Sequence, residues 1–175
     1  IQYGTPYCYP VSSMGAHVSA VPNHQMNRTT PLATRANVAC FGTFGYELDL
    51  NRLTAEERSQ VREQIAFMKS YREVLQYGDF YRLLSPFDGN FTAWMAVSPD
   101  RRTALVGWYK TLNEVNGPFH RVKLRGLDPA LDYAVDGGAV RGGDELMEIG
   151  LITTDSAAGE YRKGELPSRD FDSHV

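Results

Sequence analysis

The hydrophobic period of this chain changes once, at Gly78. Ahead of it, Val61, Ile65, Met68 and Leu75 recur at helical spacing, with Glu56, Arg58, Arg62, Glu63 and Lys69 on the other faces. Beyond it, short apolar runs alternate with polar residues and are punctuated by turn formers. A period of 3.6 buries one helical stripe, and a period of 2 buries one strand face. The switch predicts an α+β chain, helical in its first half and antiparallel β in its second.

Thr54-Ala55-Glu56-Glu57 forms a capping box, in which the Thr54 hydroxyl and the Glu57 carboxylate each satisfy an orphan backbone N–H. The helix it opens is expected to close on Gly78 as a left-handed cap. Thr30 is placed to cap a second helix, with Pro31 as its first residue, running from Leu32 to Phe41 and ending at Gly42. Phe44 to Leu50 alternates irregularly and fits either a loop or a short strand. Residues 1–31 are crowded with Gly, Pro, Tyr, Ser, Asn and His. They read as the end of a helix, a buried strand around Met14 to Ala20, and a shaped polar loop.

Later strands are expected at Phe80 to Leu84, Ala93 to Val97, Ala104 to Lys110, Arg121 to Leu124, Tyr133 to Val135 and Met147 to Ile152. Pro99-Asp100, Asn116-Gly117-Pro118, Asp128-Pro129 and Gly137-Gly138 supply the turns. Ser156 to Arg169 is small and polar and reads as a loop. Strands this short and this closely spaced suggest a sandwich, with Trp94, Trp108, Tyr109 and Phe119 packed in its core.

The chain has 175 residues and a net charge of −3. Its cations form no stripe, which argues against nucleic-acid binding. It has no apolar run near membrane-spanning length and no visible signal peptide, which argues against a membrane and for a cytoplasmic location. Cys8 and Cys40 form no disulfide framework and are expected to be buried thiols. His17, His24, His120 and His174 show no metal-ligand spacing with Cys or carboxylates. His17 is expected in the core, and His120 and His174 at the surface. Asp100 and Asp128 belong to turns, Asp79 ties down a turn, and Glu47 and Asp49 make structural links. No catalytic pair stands out among these carboxylates, nor with Asp88, Asp144 and Glu145.

Several long runs resemble the bacterial-type α-galactosidases, or melibiases, of glycoside hydrolase family thirty-six. They are Met14-Gly15-Ala16-His17-Val18-Ser19-Ala20-Val21-Pro22-Asn23-His24-Gln25, Arg35-Ala36-Asn37-Val38-Ala39 and Gly42-Thr43-Phe44-Gly45-Tyr46-Glu47-Leu48-Asp49-Leu50. Gln76-Tyr77-Gly78-Asp79-Phe80-Tyr81-Arg82-Leu83-Leu84-Ser85-Pro86-Phe87 follows, then Leu124-Arg125-Gly126-Leu127-Asp128-Pro129 and Gly142-Gly143-Asp144-Glu145-Leu146-Met147. The likeness covers nearly the whole chain in the right order.

The resemblance implies a (β/α)₈ barrel followed by an antiparallel β-sandwich. Residues 1–78 would be the end of the barrel, its last strand and helices. Residues 79–175 would be the sandwich, its last strand cut short. A complete barrel needs roughly 250 residues, and both chain ends read as cut. The resemblance further implies a retaining hydrolase for terminal α-linked galactose, as in melibiose or raffinose, with no metal or organic cofactor and a parent that can be a homo-oligomer. Both of its catalytic Asp residues would lie upstream of Ile1, leaving this chain inactive alone. Asn23 and His24 follow a barrel strand, on the face where barrels place chemistry. They are the candidate substrate-binding or supporting residues. The rival reading is a non-catalytic β-sandwich for carbohydrate binding or assembly, against which the helical first half argues.

Overall fold

The computed structural model of the chain describes residues 1–114, 120–153 and 170–175. The expected turn at Asn116-Gly117-Pro118, Phe119 and the polar stretch from Ser156 to Arg169 lie outside the described residues.

In place of the expected helix end, the first residues form two 3₁₀ turns, Thr5–Tyr7 and Val11–Ser13. Pro6 and Pro10 tolerate such turns and prevent their growth into an α-helix. Cys8, expected to be buried, is exposed, because a turn this short presents no face to cover it.

β1 (Gly15–Ser19), α1 (Leu32–Ala39), β2 (Thr43–Glu47) and α2 (Ala55–Tyr77) follow. β1 and β2 pair in parallel, from Gly15 opposite Thr43 to Ser19 opposite Glu47. A parallel pair needs a crossover, and α1 is that crossover. Its presence resolves the open reading of the segment from Phe44 in favour of a strand. Ala16 and Val18 are buried against Leu32, Ala36 and Ala39 of α1 and Val61 of α2, so both helices lie on one face of the pair. Gly15, His17, Ser19, Thr43 and Glu47 are exposed on the other. His17, expected in the core, therefore points away from it, because strand alternation sets it opposite Ala16 and Val18.

Pro31 is the N-cap of α1 rather than its first residue, and no side chain caps the helix. With ψ at 145°, Pro31 is still extended, and its carbonyl accepts the Arg35 N–H at 3.1 Å. The helix stops at Ala39, before the expected Phe41, whose side chain turns fully into the core.

The capping box forms as the sequence predicts: Glu57 N donates to Thr54 Oγ1 at 3.1 Å and Thr54 N to Glu57 Oε2 at 2.8 Å. Val61, Met68 and Leu75 form the buried stripe of α2, whereas Ile65 stands at its edge, 36% exposed. Gly78 caps the helix with φ −70°, not in the left-handed region. Glycine is needed there for another reason. A Cβ would lie 2.5 Å from the Val74 carbonyl oxygen and 2.6 Å from that of Val97.

The second half is built on a four-stranded antiparallel sheet, ordered β10 (Asp172–His174), β5 (Ala104–Lys110), β4 (Phe91–Val97), β3 (Asp79–Leu84). β3 is in register with β4 up to Arg82 opposite Trp94, then shifts by a bulge at Leu83. Two small antiparallel pairs complete the half: β6 (Arg121–Val122) with β9 (Leu151–Ile152), and β7 (Asp132–Ala134) with β8 (Val140–Gly142).

β4 is buried along both faces. Trp94 and Ala96 face the helices with Phe41, Met68, Leu75 and Tyr109. Ala93, Met95 and Val97 face Val122, Leu124, Leu127 and Leu146. Being covered twice, β4 reads as a near-continuous apolar run, as central strands do. Trp94 stacks on Tyr109 at 4.3 Å and meets Phe41 edge-on at 6.0 Å. Trp94 and Tyr109 are thus core residues, whereas Trp108 is only half-buried and lies against Phe91.

The expected strand from Met147 to Ile152 is divided: Met147 and Glu148 end a helix, α3 (Gly143–Glu148), Ile149 and Gly150 turn, and only Leu151–Ile152 are extended. Asp144 and Glu145 suit its first turn by charge. Gly150 ends the turn with φ +83°, and its N–H reaches the Glu145 carbonyl at 3.1 Å.

Candidate functional site

In an α/β arrangement, the loops after the C-terminal ends of parallel strands carry chemistry. Here those ends are Ser19 and Glu47, side by side in the register. The loop after β1 contains both candidate residues.

Asn23 organises that loop. Its Oδ1 accepts the N–H groups of Gln25 and Met26, both at 3.0 Å. Its backbone N–H donates to the Arg28 carbonyl at 2.8 Å, and its carbonyl accepts from Asn27 N at 2.7 Å. Such an Asx turn uses up the carboxamide oxygen locally. Asn27, at φ +51°, completes the bend. His24 rides exposed on this frame. The structure thus brings Asn23 and His24 together in one loop, with Asn23 tied to backbone and His24 free to face outward.

Sequence reasoning missed what anchors the loop. From α1, Arg35 Nη1 donates to the Ser19 carbonyl at 2.5 Å and Nε to the Thr30 carbonyl at 3.0 Å. One guanidinium thus ties both ends of the loop. Burial lowers the Arg35 pKa, opposed by the charge of Glu57. A planar fork suits two carbonyls at fixed spacing, and the pairing of Arg35 with a loop behind it in the chain leaves no periodic trace. Arg28 lies over the Phe171 ring at 4.5 Å. Thr34 Oγ1 donates to the Phe171 carbonyl at 2.8 Å, and Asn37 Nδ2 to Ser173 Oγ at 3.0 Å. The loop and α1 are therefore held against the edge strand β10.

The remaining candidates have local duties. Asp49 caps the 3₁₀ turn Leu50–Arg52 through Asn51 N at 2.9 Å. Ser98 Oγ donates to Asp100 Oδ1 at 2.6 Å, and the Asp128 carboxylate accepts Ala130 N at 2.9 Å, both as turn chemistry predicts. Asp79 begins β3 opposite Val97. Cys40 is buried and donates to the Asn37 carbonyl, and burial pushes its thiol pKa up. His120 lies flat on Phe91 at 3.5 Å, and exposed His174 reaches Asp136 at 3.1 Å. Among the described residues, no three His, Cys, Asp or Glu side chains gather as metal ligands.

Cavities among the described residues lie elsewhere. One of about 290 Å³ sits between α1 and α2, lined by Cys40, Phe44 and Met68 among others. One of about 520 Å³ sits between β5, β7 and α2. Neither touches Asn23 or His24.

Two family profiles match the chain: melibiase over residues 1–78 and the glycosyl hydrolase family 36 C-terminal domain over residues 91–175. The α-galactosidase AgaA of Geobacillus stearothermophilus is 54% identical over 151 residues, 86% of this chain and 21% of that protein. A crystal structure of that enzyme, in a substituted form and in complex with raffinose, matches 99% of this chain and 23% of its own, with a TM-score of 0.88 at 50% identity. The α-galactosidase from Lactobacillus brevis matches the same shares of each chain with a TM-score of 0.89 at 44% identity. The chain spans about a fifth of the length of the curated α-galactosidase it matches at 54% identity. No helix among the described residues is long and apolar enough to cross a membrane. The chain is a mixed α/β structure with antiparallel sheets, and it belongs to glycoside hydrolase family 36.

Proposed function

We propose that this chain is part of a retaining α-galactosidase that releases terminal α-linked galactose from oligosaccharides of the melibiose and raffinose type. The observation that carries the reading is the match along 99% of the chain, at 50% identity, to an α-galactosidase crystallised with raffinose. On this reading residues 1–78 are the end of a (β/α)₈ barrel, and two features support that. β1 and β2 are adjacent, parallel and sequential, and both of their helices lie on one face. A barrel repeats that unit around a closed sheet, so the chain contributes two strands, one more than the sequence suggested. Residues 79–175 form the C-terminal antiparallel β-sandwich, as the two cores on either side of β4 support.

Retaining glycosidases need a nucleophilic carboxylate and an acid/base carboxylate about 5 Å apart. The carboxylates with local partners here, Asp49, Asp100 and Asp128, are engaged in turns and caps. We assign both catalytic groups to upstream parts of the parent, a cytoplasmic enzyme capable of homo-oligomerisation. Asn23 shapes the loop on the catalytic face, and His24 offers its ring to the substrate or to a catalytic carboxylate.

The test compares two proteins on a nitrophenyl α-galactoside. The full-length parent is expected to hydrolyse it, and this chain alone to show no turnover. In the parent, His24→Ala is expected to lower kcat/KM by roughly tenfold to a hundredfold, the loss of one hydrogen bond to a charged group. Turnover by the purified chain alone, or an unaltered His24→Ala enzyme, would refute the corresponding assignment.

A further inference from the structure

The face of the β1–β2 pair that bears no helix sets a histidine beside a carboxylate: His17 Nδ1 lies 3.8 Å from Glu47 Oε2. Nothing in the chain's own packing calls for it. The two side chains are 52% and 75% exposed, and an exposed pair of this kind adds little to stability. All the tight packing of these strands is on the opposite face, around Ala16 and Val18.

Three observations make the pair more than a surface contact. Glu47 is the last residue of β2 and stands opposite Ser19, the last of β1, so its carboxylate sits at the C-terminal mouth of the strands. His17 lies one layer deeper, opposite Gly45. Gly15 and Gly45 flank its ring: a Cβ on the first would lie 3.8 Å from Cε1, and on the second 3.4 Å from Cδ2. At these separations a Cβ would make ordinary contact with the ring, so the two glycines leave the imidazole uncrowded on both sides. The strands thus hold an aromatic base between two glycines and aim an acid beside it towards the end where parallel-strand enzymes place their sites.

We propose that His17 and Glu47 are a positioning pair at the floor of the parent's galactoside site. The inference rests on the barrel reading, in which this face is the barrel interior. There the two groups lose water, so each requires its partner. His17 then fixes the Glu47 carboxylate, and Glu47 sets the charge and hydrogen bonding beneath the reacting groups. Neither residue is assigned a bond to the sugar.

The experiment uses the full-length protein with Glu47→Gln, His17→Asn and both together, and Glu73→Gln on the exposed face of α2 as a control for loss of a carboxylate. Both substitutions at the pair keep polarity and approximate size. Kinetics on a nitrophenyl α-galactoside and melting curves are read together. Each single change is expected to lower kcat by about tenfold or more, the scale of a small displacement at a reacting centre. KM should stay within about twofold, the melting temperature should hold, and the double change should be no worse than the worse single one. The control should match the parent. Parental kcat in either single variant, a rise in KM with kcat unchanged, or a loss of kcat matched by a loss of folded protein would each overturn the pair's role. A parent that does not hydrolyse α-galactosides at all sinks the proposed function, and this inference with it.

Discussion

Arg35→Ala should unfasten the loop between Ser19 and Thr30 while leaving the sheets intact. The guanidinium makes two hydrogen bonds to carbonyls at the loop ends, at 2.5 and 3.0 Å. A hydrogen bond to a charged group contributes about 1.5–3 kcal/mol. Arg35 is only half-buried, and released carbonyls regain water, so the lower end applies to each bond. Screening by solvent reduces it further. We expect a local cost of about 2 kcal/mol, since the loop's own Asx turn remains. The measurement is amide hydrogen exchange on this chain. Gln25, Met26 and Asn27 donate within the loop, and their exchange should accelerate about thirtyfold, the factor that 2 kcal/mol implies. Amides of β4, buried between two layers, serve as the internal reference and should not change. Arg35→Lys should recover less than half of the protection, because an ammonium lacks the planar fork. If the loop amides of Arg35→Ala exchange as in the parent, the guanidinium is not the clamp and the loop is held by Asn23 alone.

Two further outcomes test the fold. Gly78→Ala should cost about 2–4 kcal/mol in denaturant unfolding, because its Cβ would press on two backbone carbonyls that cannot move aside; a loss below about 0.5 kcal/mol would show the helix end to be adaptable. Hydrogen bonds from Thr54 lower the Glu57 pKa, and those from Ser98 and the Arg102 N–H lower that of Asp100. With folded values below unfolded ones, both carboxylates stabilise fully above the ordinary range near 4 and lose this contribution as pH falls through their folded values. Melting temperature should therefore fall less steeply between about pH 4.5 and 2 in a Thr54→Ala/Ser98→Ala variant than in the parent, and equal slopes would contradict this.

Elements whose stabilising partners lie within a few residues were legible in the sequence. The Thr54–Glu57 box, the turns at Asp100 and Asp128, and the strands β3 to β5 rest on local hydrogen bonds or a short hydrophobic period. The family, too, was legible, because its runs extend through both halves of the chain. Long-range contact decided the rest. β2 is a strand because β1 lies beside it across the α1 crossover. Gly78, the cap of α2, is required by the carbonyl of Val97 on β4 as well as by that of Val74 in its own helix, and not by its own dihedral angles. The expected strand from Met147 is cut to Leu151–Ile152, because α3 runs on to Glu148 and the chain turns at Gly150. Alternation marks two faces of a strand but not which one is covered. Only the placement of both helices on the Ala16 and Val18 side turned His17 outward towards Glu47.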